Sequence, residues 1–388
     1  MPLKRHGFVR RRRAVGFTQE RLAEAMHVER STVARWELGR AFPQPYVRPR
    51  LASLLGVNVE ALSALLELTS ENEEPAPERT RYAMRYPSRV DLVVAADLRN
   101  DMQDLADRYD RMPSATLLAQ AGQHVSRVGY LAGEASAGRV QREMRVLQAD
   151  AAVFMGQLVW DASQRRDHVT ARSFYAQSLE VGRHLRDQPA QGHALLRTCY
   201  VALYGANDPR EGLELALETA RTTRYTSHAL TGLAMLHAAE AHALLGESRE
   251  CERALSGAER HLENADSDDV ACDLLSPTHF GRMAGSCYLT LGQHRRAQRL
   301  LEGTATEMRE RRKSRAIVLG NLALSRIREG TLDAALVTFS EALNELRDTR
   351  GGGGMNIVFR AARELSPWRN EPAVQEAQDR LMALMEAA

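Results

Sequence analysis

At 388 residues the chain exceeds one typical core, which predicts two or more domains. Its 44% hydrophobic content is that of a soluble globular protein, no apolar run approaches a membrane span, and the start "MPLKRHGFVRRRR" lacks an apolar signal segment, so a cytoplasmic protein with no membrane partner is expected. The net charge of +2 hides an asymmetry: residues 1–50 hold 12 Lys+Arg against 4 Asp+Glu, whereas the remainder holds 40 against 46, so a polyanion partner is expected at the N-terminal end only.

Residues 8–66 read as about five short helices with tight connections. Within them, "GFTQERLAEAMHVERSTVARWELGR" (Gly16 to Arg40) places Leu22, Met26, Val28, Val33 and Trp36 on the inward faces of two helices joined at His27-Val28. Ala23 is small where the second helix must cross the first. The Arg12-xxx-Gly16 spacing, Thr18-Gln19, Leu22-Ala23, the Trp36-Glu37-x-Gly39 run and "LASLLGVNVEAL" (Leu51 to Leu62) together resemble the Cro/XRE-type helix-turn-helix domain of bacterial and phage regulators, over about residues 6–68. One departure is His27 at the turn, where this family usually has Gly; His tolerates a positive φ at some strain.

The resemblance implies roles residue by residue. Arg30, Ser31 and Arg35 would project from the second helix toward base edges, Arg30 or Arg35 taking a guanine by a bidentate fork. Thr18, Gln19, Arg10, Arg11, Arg13 and Arg40 would contact DNA phosphates. Arg12 and Glu37 would pair inside the domain. Regulators of this type read two half-sites as two-fold dimers, so a homodimer on a pseudo-palindromic, double-stranded operator is expected, with the rest of the chain supplying the interface.

Between Thr69 and Arg89 the pattern dissolves into "TSENEEPAPERTRYAMRYPSR", whose prolines (Pro75, Pro77, Pro87) and acids read as a linker over 69–89. From Val90 onward nearly everything has helical period, giving an all-α chain. Three segments superpose: a small residue (Ala239, Gly285, Ala323), a Gly seven on (Gly246, Gly292, Gly330), a small residue five further (Cys251, Ala297, Ala335) and a bulky one at plus four (Leu255, Leu301, Phe339). Small residues permit close helix approach, Gly makes the turn, and the bulky side chain fills the space behind it. The pattern resembles the tetratricopeptide repeat, with turn glycines 46 and 38 residues apart, and weaker copies lie at Gly156 to Ser178 and Val201 to Leu217. An α-solenoid of about five repeats over 90–350 is predicted. Gly351–Gly354 read as a flexible joint before a last helix at about Glu371–Glu386, within a closing segment 351–388.

The architecture resembles regulators whose repeats bind a signal, the best known being short secreted peptides, and the ligand class rests on that analogy. The repeat register places His237, Glu240, His279, Arg282, Ser286, Asn321 and Leu324 on the groove face, with Gln157 from the weaker upstream copy. Asn321 would clamp a peptide backbone through its donor and acceptor, and Arg282 would hold a carboxylate or a phosphate. The effector is therefore expected to be a short peptide or small signal molecule. The alternatives are a constitutive repressor whose solenoid only oligomerises, and a repeat-based protein-interaction adaptor.

No catalytic, metal or cofactor site is expected. The only Lys-Ser, Lys313-Ser314, lacks the preceding Gly of a nucleotide-binding loop. In "HAAEAH" the histidines, His237 and His242, are five apart and so lie about 140° apart around a helix. "NADSDDVACD" lacks the Gly and late Glu of a calcium loop. Cys199, Cys251, Cys272 and Cys287 show no CxxC pairing and read as buried free thiols.

Overall fold

The computed structural model describes residues 8, 9, 11, 12, 15–37, 41–44, 47–57, 62, 66, 78–308 and 310–386. The chain forms two compact units, Met1–Arg81 and Tyr82–Ala388. The described secondary structure is helical throughout.

In the N-terminal unit α1 (Gln19–Met26) starts where Thr18 accepts from the Arg21 amide at 3.2 Å, and it ends at His27 in the left-handed region (φ 54°, ψ 46°). His27 thus takes the turn that Gly would have made, as the sequence predicts. After this turn come α2 (Arg30–Glu37) and α3 (Arg48–Leu54), with Pro49 in the first turn of α3. Leu22, Met26, Val33 and Trp36 close on Phe8, Leu51, Leu55, Leu62 and Leu66, each at most 4% exposed. The remaining helices expected between 8 and 66 fall largely outside the described residues.

The stretch expected to be a linker is partly helical. Glu78–Arg85 forms α4, and Pro87–Arg89 adds a single turn. Thr80 and Ala83, three residues apart, share a buried face, and Ala83 joins Val90, Val94 and Leu131 in one apolar cluster. Residues 69–77 of the expected linker lie outside the described residues.

The second unit begins with α5 (Leu92–Tyr109) and α6 (Leu118–Glu134). Five antiparallel hairpins follow: α7 (Arg139–Ala162) with α8 (His168–Leu185), α9 (Gln188–Val201) with α10 (Pro209–Thr223), and α11 (His228–Leu244) with α12 (Ser248–Glu263). The last two are α13 (His279–Thr290) with α14 (His294–Glu307), and α15 (Arg312–Arg328) with α16 (Leu332–Thr349). They stack as a tetratricopeptide-like solenoid. The aligned glycines carry the turns, with φ of 79° at Gly246, 75° at Gly292 and 78° at Gly330. Behind them Cys251/Leu255, Ala297/Leu301 and Ala335/Phe339 are buried to 2% exposure or less.

At Gly285 the close approach is explicit: an added Cβ would stand 2.7 Å from the Leu301 side chain. Gly285→Val is therefore expected to cost about 1–3 kcal/mol by overpacking, read as a lowered midpoint in chemical denaturation. The upstream hairpins use the same device with other residues. Gly156 lies under the Tyr175 ring, and their left-handed turns fall on Gln164, Arg165 and Asn207.

The glycine run is not a joint. Gly352–Gly354 open α17 (Gly352–Glu364), which packs on α15 and α16, and α18 (Pro372–Glu386) packs on α16. All three glycines are buried because α17 begins against α7: a Cβ at Gly352 would stand 3.0 Å from the Asp161 carbonyl, and one at Gly353 would strike Arg165. Glycine here permits backbone contact rather than flexibility. Asp161, at the end of α7, accepts from the Gly352 amide at 2.7 Å, from Lys313 Nζ at 2.9 Å and from Ser114 Oγ at 2.7 Å. The late helices α15 and α17 are thereby fastened to α7, and the inner side of the solenoid becomes a cavity.

Candidate DNA-reading helix and ligand cavity

Sequence alone divides α2 into holding and reading residues, and the geometry keeps that division. Val33, Trp36 and Glu37 are buried; Arg30, Ser31 and Arg35 are exposed, with Ser31 and Arg35 one turn apart. Arg12 Nε donates to Glu37 Oε1 at 2.6 Å with both residues at most 7% exposed, the internal pair that the resemblance implies. Arg30 Nε meets Glu20 Oε1 at 2.6 Å in a pair more than half exposed on both sides. The contact is solvated, so phosphate or base can displace Glu20 at little cost. Among the described residues the Arg35 side chain donates to Thr32 Oγ1, at 3.3 Å.

Three of the residues expected at DNA phosphates also have partners inside the domain. Gln19 donates its amide to Glu37 Oε2 and completes the buried pair. Arg11 donates to the carbonyls of Leu55 (2.7 Å) and Gly56 (2.8 Å), capping the C-terminal end of α3. Thr18 uses its hydroxyl as the N-cap of α1. In each case the backbone or a buried carboxylate needed a partner that periodicity does not display. Arg10, Arg13 and Arg40 lie outside the described residues.

The second unit encloses a cavity of about 1150 Å³ on the inner side of α5, α7, α9, α11, α13, α15 and α17. His237, His279, Arg282 and Gln157 line it, as the repeat register predicts. Glu240 and Ser286 lie just behind the lining: Ser286 Oγ donates to Glu240 Oε1 at 2.9 Å, and Tyr204 donates its hydroxyl to Glu240 Oε2. Tyr204 Oη also lies 2.8 Å from His237 Nδ1. Burial raises the Glu240 pKa, and burial followed by the nearby Arg282 charge lowers that of His237. His279, whose Nδ1 accepts from the Ser276 amide at 2.8 Å, is pushed down to about 3 by burial first and by Arg282 next.

Asn321 and Leu324 are corrections. They are 4% and 0% exposed and do not line the cavity. The repeat register puts them inward, but α17 packs on that part of α15, with Ile357 and Val358 against Gly320. A polar clamp at Asn321 is therefore out of reach of a cavity ligand.

The lining that sequence reasoning missed is aromatic and cationic. Trp160, Tyr200, Tyr204 and Tyr109 face the cavity with Arg165, Arg197 and Lys313. Arg165 Cζ lies 4.8 Å from the Trp160 ring and 5.5 Å from Tyr204; Arg197 Cζ lies 5.3 Å from Tyr200; Lys313 Nζ lies 3.9 Å from Tyr109. Tyr200 and Tyr204, at i and i+4 in a chain with only 10 tyrosines, were the available signal. Cys199, Cys251 and Cys287 are buried free thiols as predicted, and Cys272 is partly exposed. His237 and His242 point to different partners, Tyr204 and Glu247. Among the described residues no helix is long and apolar enough to cross a membrane.

A helix-turn-helix domain family matches residues 8–65. No curated protein sequence matches the chain. Among solved structures, the chain is similar to a signal-transduction ATPase with numerous domains carrying a tetratricopeptide repeat sensor, from Pyrococcus horikoshii. That likeness has 14% identity and a TM-score of 0.45, and it covers 89% of this chain but 51% of that one, about half its length. A second similar structure is Bacillus thuringiensis PlcR in complex with the peptide PapR7 and DNA, with 15% identity and a TM-score of 0.30, covering 85% of this chain and 99% of that one. Residues 8–65 thus carry a helix-turn-helix domain, and the body, by its own geometry, is a stack of antiparallel helical hairpins.

Proposed function

We propose that the chain is a sequence-specific transcriptional regulator that binds a two-fold operator as a homodimer, with its DNA affinity set by a ligand in the solenoid cavity. The observation that carries the DNA reading is the exposed face of α2. Arg30, Ser31 and Arg35 stand free of the domain core, while Arg12, Gln19 and Glu37 hold the helix from behind. One such helix reads a single half-site, and a two-fold dimer supplies the second.

The cavity supports the ligand reading by size and chemistry. About 1150 Å³ is at the upper end of small-molecule sites and suits a short peptide or signal molecule. An aromatic wall with convergent charges is a binding surface rather than a packing defect. A ligand that favours one arrangement of α7 and α17 would shift the population available for DNA.

Arg30→Ala is expected to relax discrimination at one base position per half-site by about 1–3 kcal/mol, measured on single-base variants of an operator selected from random duplex DNA. Gln19→Ala, which loosens Glu37 rather than a base contact, should weaken all sequences alike. Uniform loss in both variants would reject the assigned reading face.

A further inference from the structure

We propose that the cavity accepts a ligand bearing a carboxylate, seated between the guanidiniums of Arg165 and Arg282 with its apolar body against Trp160, Tyr200 and Tyr204. The proposal rests on the ligand-binding reading above and adds the chemistry of the ligand.

Elsewhere in this unit partly buried arginines are paired. Arg172 grips Glu211 through two bonds of 2.6 and 2.7 Å, Arg328 grips Glu364 at 2.9 and 2.7 Å, and Arg312 reaches both Glu345 and Asp348. Arg165 and Arg282 break that rule. Both are half-buried, both line the cavity, and neither side chain makes an ion pair or hydrogen bond among the described residues. Charges drawn partly out of water without a counter-ion are costly, and two of them facing one enclosed space lack an anion.

They line one cavity: Arg165 stands over Trp160 and Tyr204, and the Tyr204 hydroxyl donates to Glu240 behind the lining. Among the described residues no acid makes an ion pair with either guanidinium. Glu240 has each oxygen occupied, by Tyr204 and by Ser286, and Asp161 is committed to Lys313, Ser114 and the Gly352 amide. Asp110, also on the lining, is shared among Arg311, Lys313 and Arg282 without a close pair to any, and burial raises its pKa. His237 and His279 are held neutral, so the guanidiniums are the fixed charge at this point of the wall. The buried Trp160 Nε1 adds a donor without an acceptor among the described residues.

A planar carboxylate matches two guanidinium forks beside aromatic rings.

The test uses the purified full chain and a heptapeptide pool without Asp or Glu, supplied as free acids and as C-terminal amides, with retained peptides identified by mass spectrometry. Benzoate and benzamide are titrated alongside by thermal shift. Free acids should be retained about tenfold to a hundredfold over amides, and Arg282→Gln and Arg165→Gln should abolish that preference. Arg282→Gln removes no bond among the described residues and relieves an uncompensated charge, so its melting temperature should not fall below the parent's. Retention of acids and amides alike, or preference unchanged in both variants, would overturn the carboxylate assignment while leaving a ligand cavity in place. Arg282-dependent binding of benzoate over benzamide with no peptide retained would keep the anion site and identify a small acid as its ligand. Absence of binding by every probe would overturn the proposal.

Discussion

Glu37→Ala is expected to remove about 3–5 kcal/mol from the N-terminal unit. The substitution leaves the Arg12 guanidinium buried at 4% exposure without its carboxylate and strips Gln19 of its acceptor. A domain of this size holds only about 3–9 kcal/mol in total, so the variant should spend much of its time unfolded near 37 °C. Hydrogen exchange separates the effect by place. Amides of α1 and α2 should lose protection, whereas those of the hairpins from α11 to α16 should keep it. Glu37→Gln retains shape and an acceptor for Gln19, so its loss should be smaller. Equal protection of α1 and α2 in Glu37→Ala and the parent would show that the pair does not hold the reading helix.

A comparable loss, about 3–5 kcal/mol, is expected for Asp161→Ala in the second unit. Asp161 collects three donors from distant parts of the chain: Ser114, Lys313 and the Gly352 amide. Without it the Lys313 ammonium, 5% exposed, keeps the Ser114 hydroxyl, the Tyr109 ring and the more distant Asp110 charge, and the first turn of α17 loses its cap. Burial already lowers the Lys313 pKa, so part of the loss can be relieved by shedding the proton. Lys313→Met should cost less, because Asp161 then keeps two donors and the methionine fills the slot. In Asp161→Ala the amides of α17 and α18 should exchange before those of α11 to α14, as the closure between α7 and α17 opens. If Asp161→Ala unfolds no more readily than Lys313→Met, the closure does not depend on the carboxylate.

These two sites also show what can be read without coordinates. The Arg12–Glu37 pair and the left-handed His27, which the family resemblance implies, and the turn glycines Gly246, Gly292 and Gly330, which follow from a recurring pattern, all stand where expected. Helical period likewise predicts the all-α solenoid. What stayed hidden depends on contacts far apart in sequence. Lys313 and Asp161 are 152 residues apart, and no periodicity connects them. Lys313 is one of only two lysines in the chain, and composition alone does not show the buried slot it occupies.

The errors have the same origin. A run of four glycines reads as flexible, yet here it lets a helix start touch α7. Asn321 and Leu324 carry the correct repeat register, but the register does not say where a later helix covers it. Arg11 and Gln19 are also held inside the domain, by the carbonyls at the end of α3 and by the second oxygen of Glu37, partners that periodicity does not display. Tyr200 and Tyr204, spaced one turn apart, could have been found by asking where a chain poor in aromatic residues concentrates them.

The central claim is that this chain holds DNA through the basic helix-turn-helix unit, and salt tests it most directly. Affinity of the purified full chain for a selected operator should fall by about 10³–10⁵ between 50 and 200 mM salt if roughly 6–10 phosphates are contacted per dimer. An affinity that stays flat across that range would contradict it.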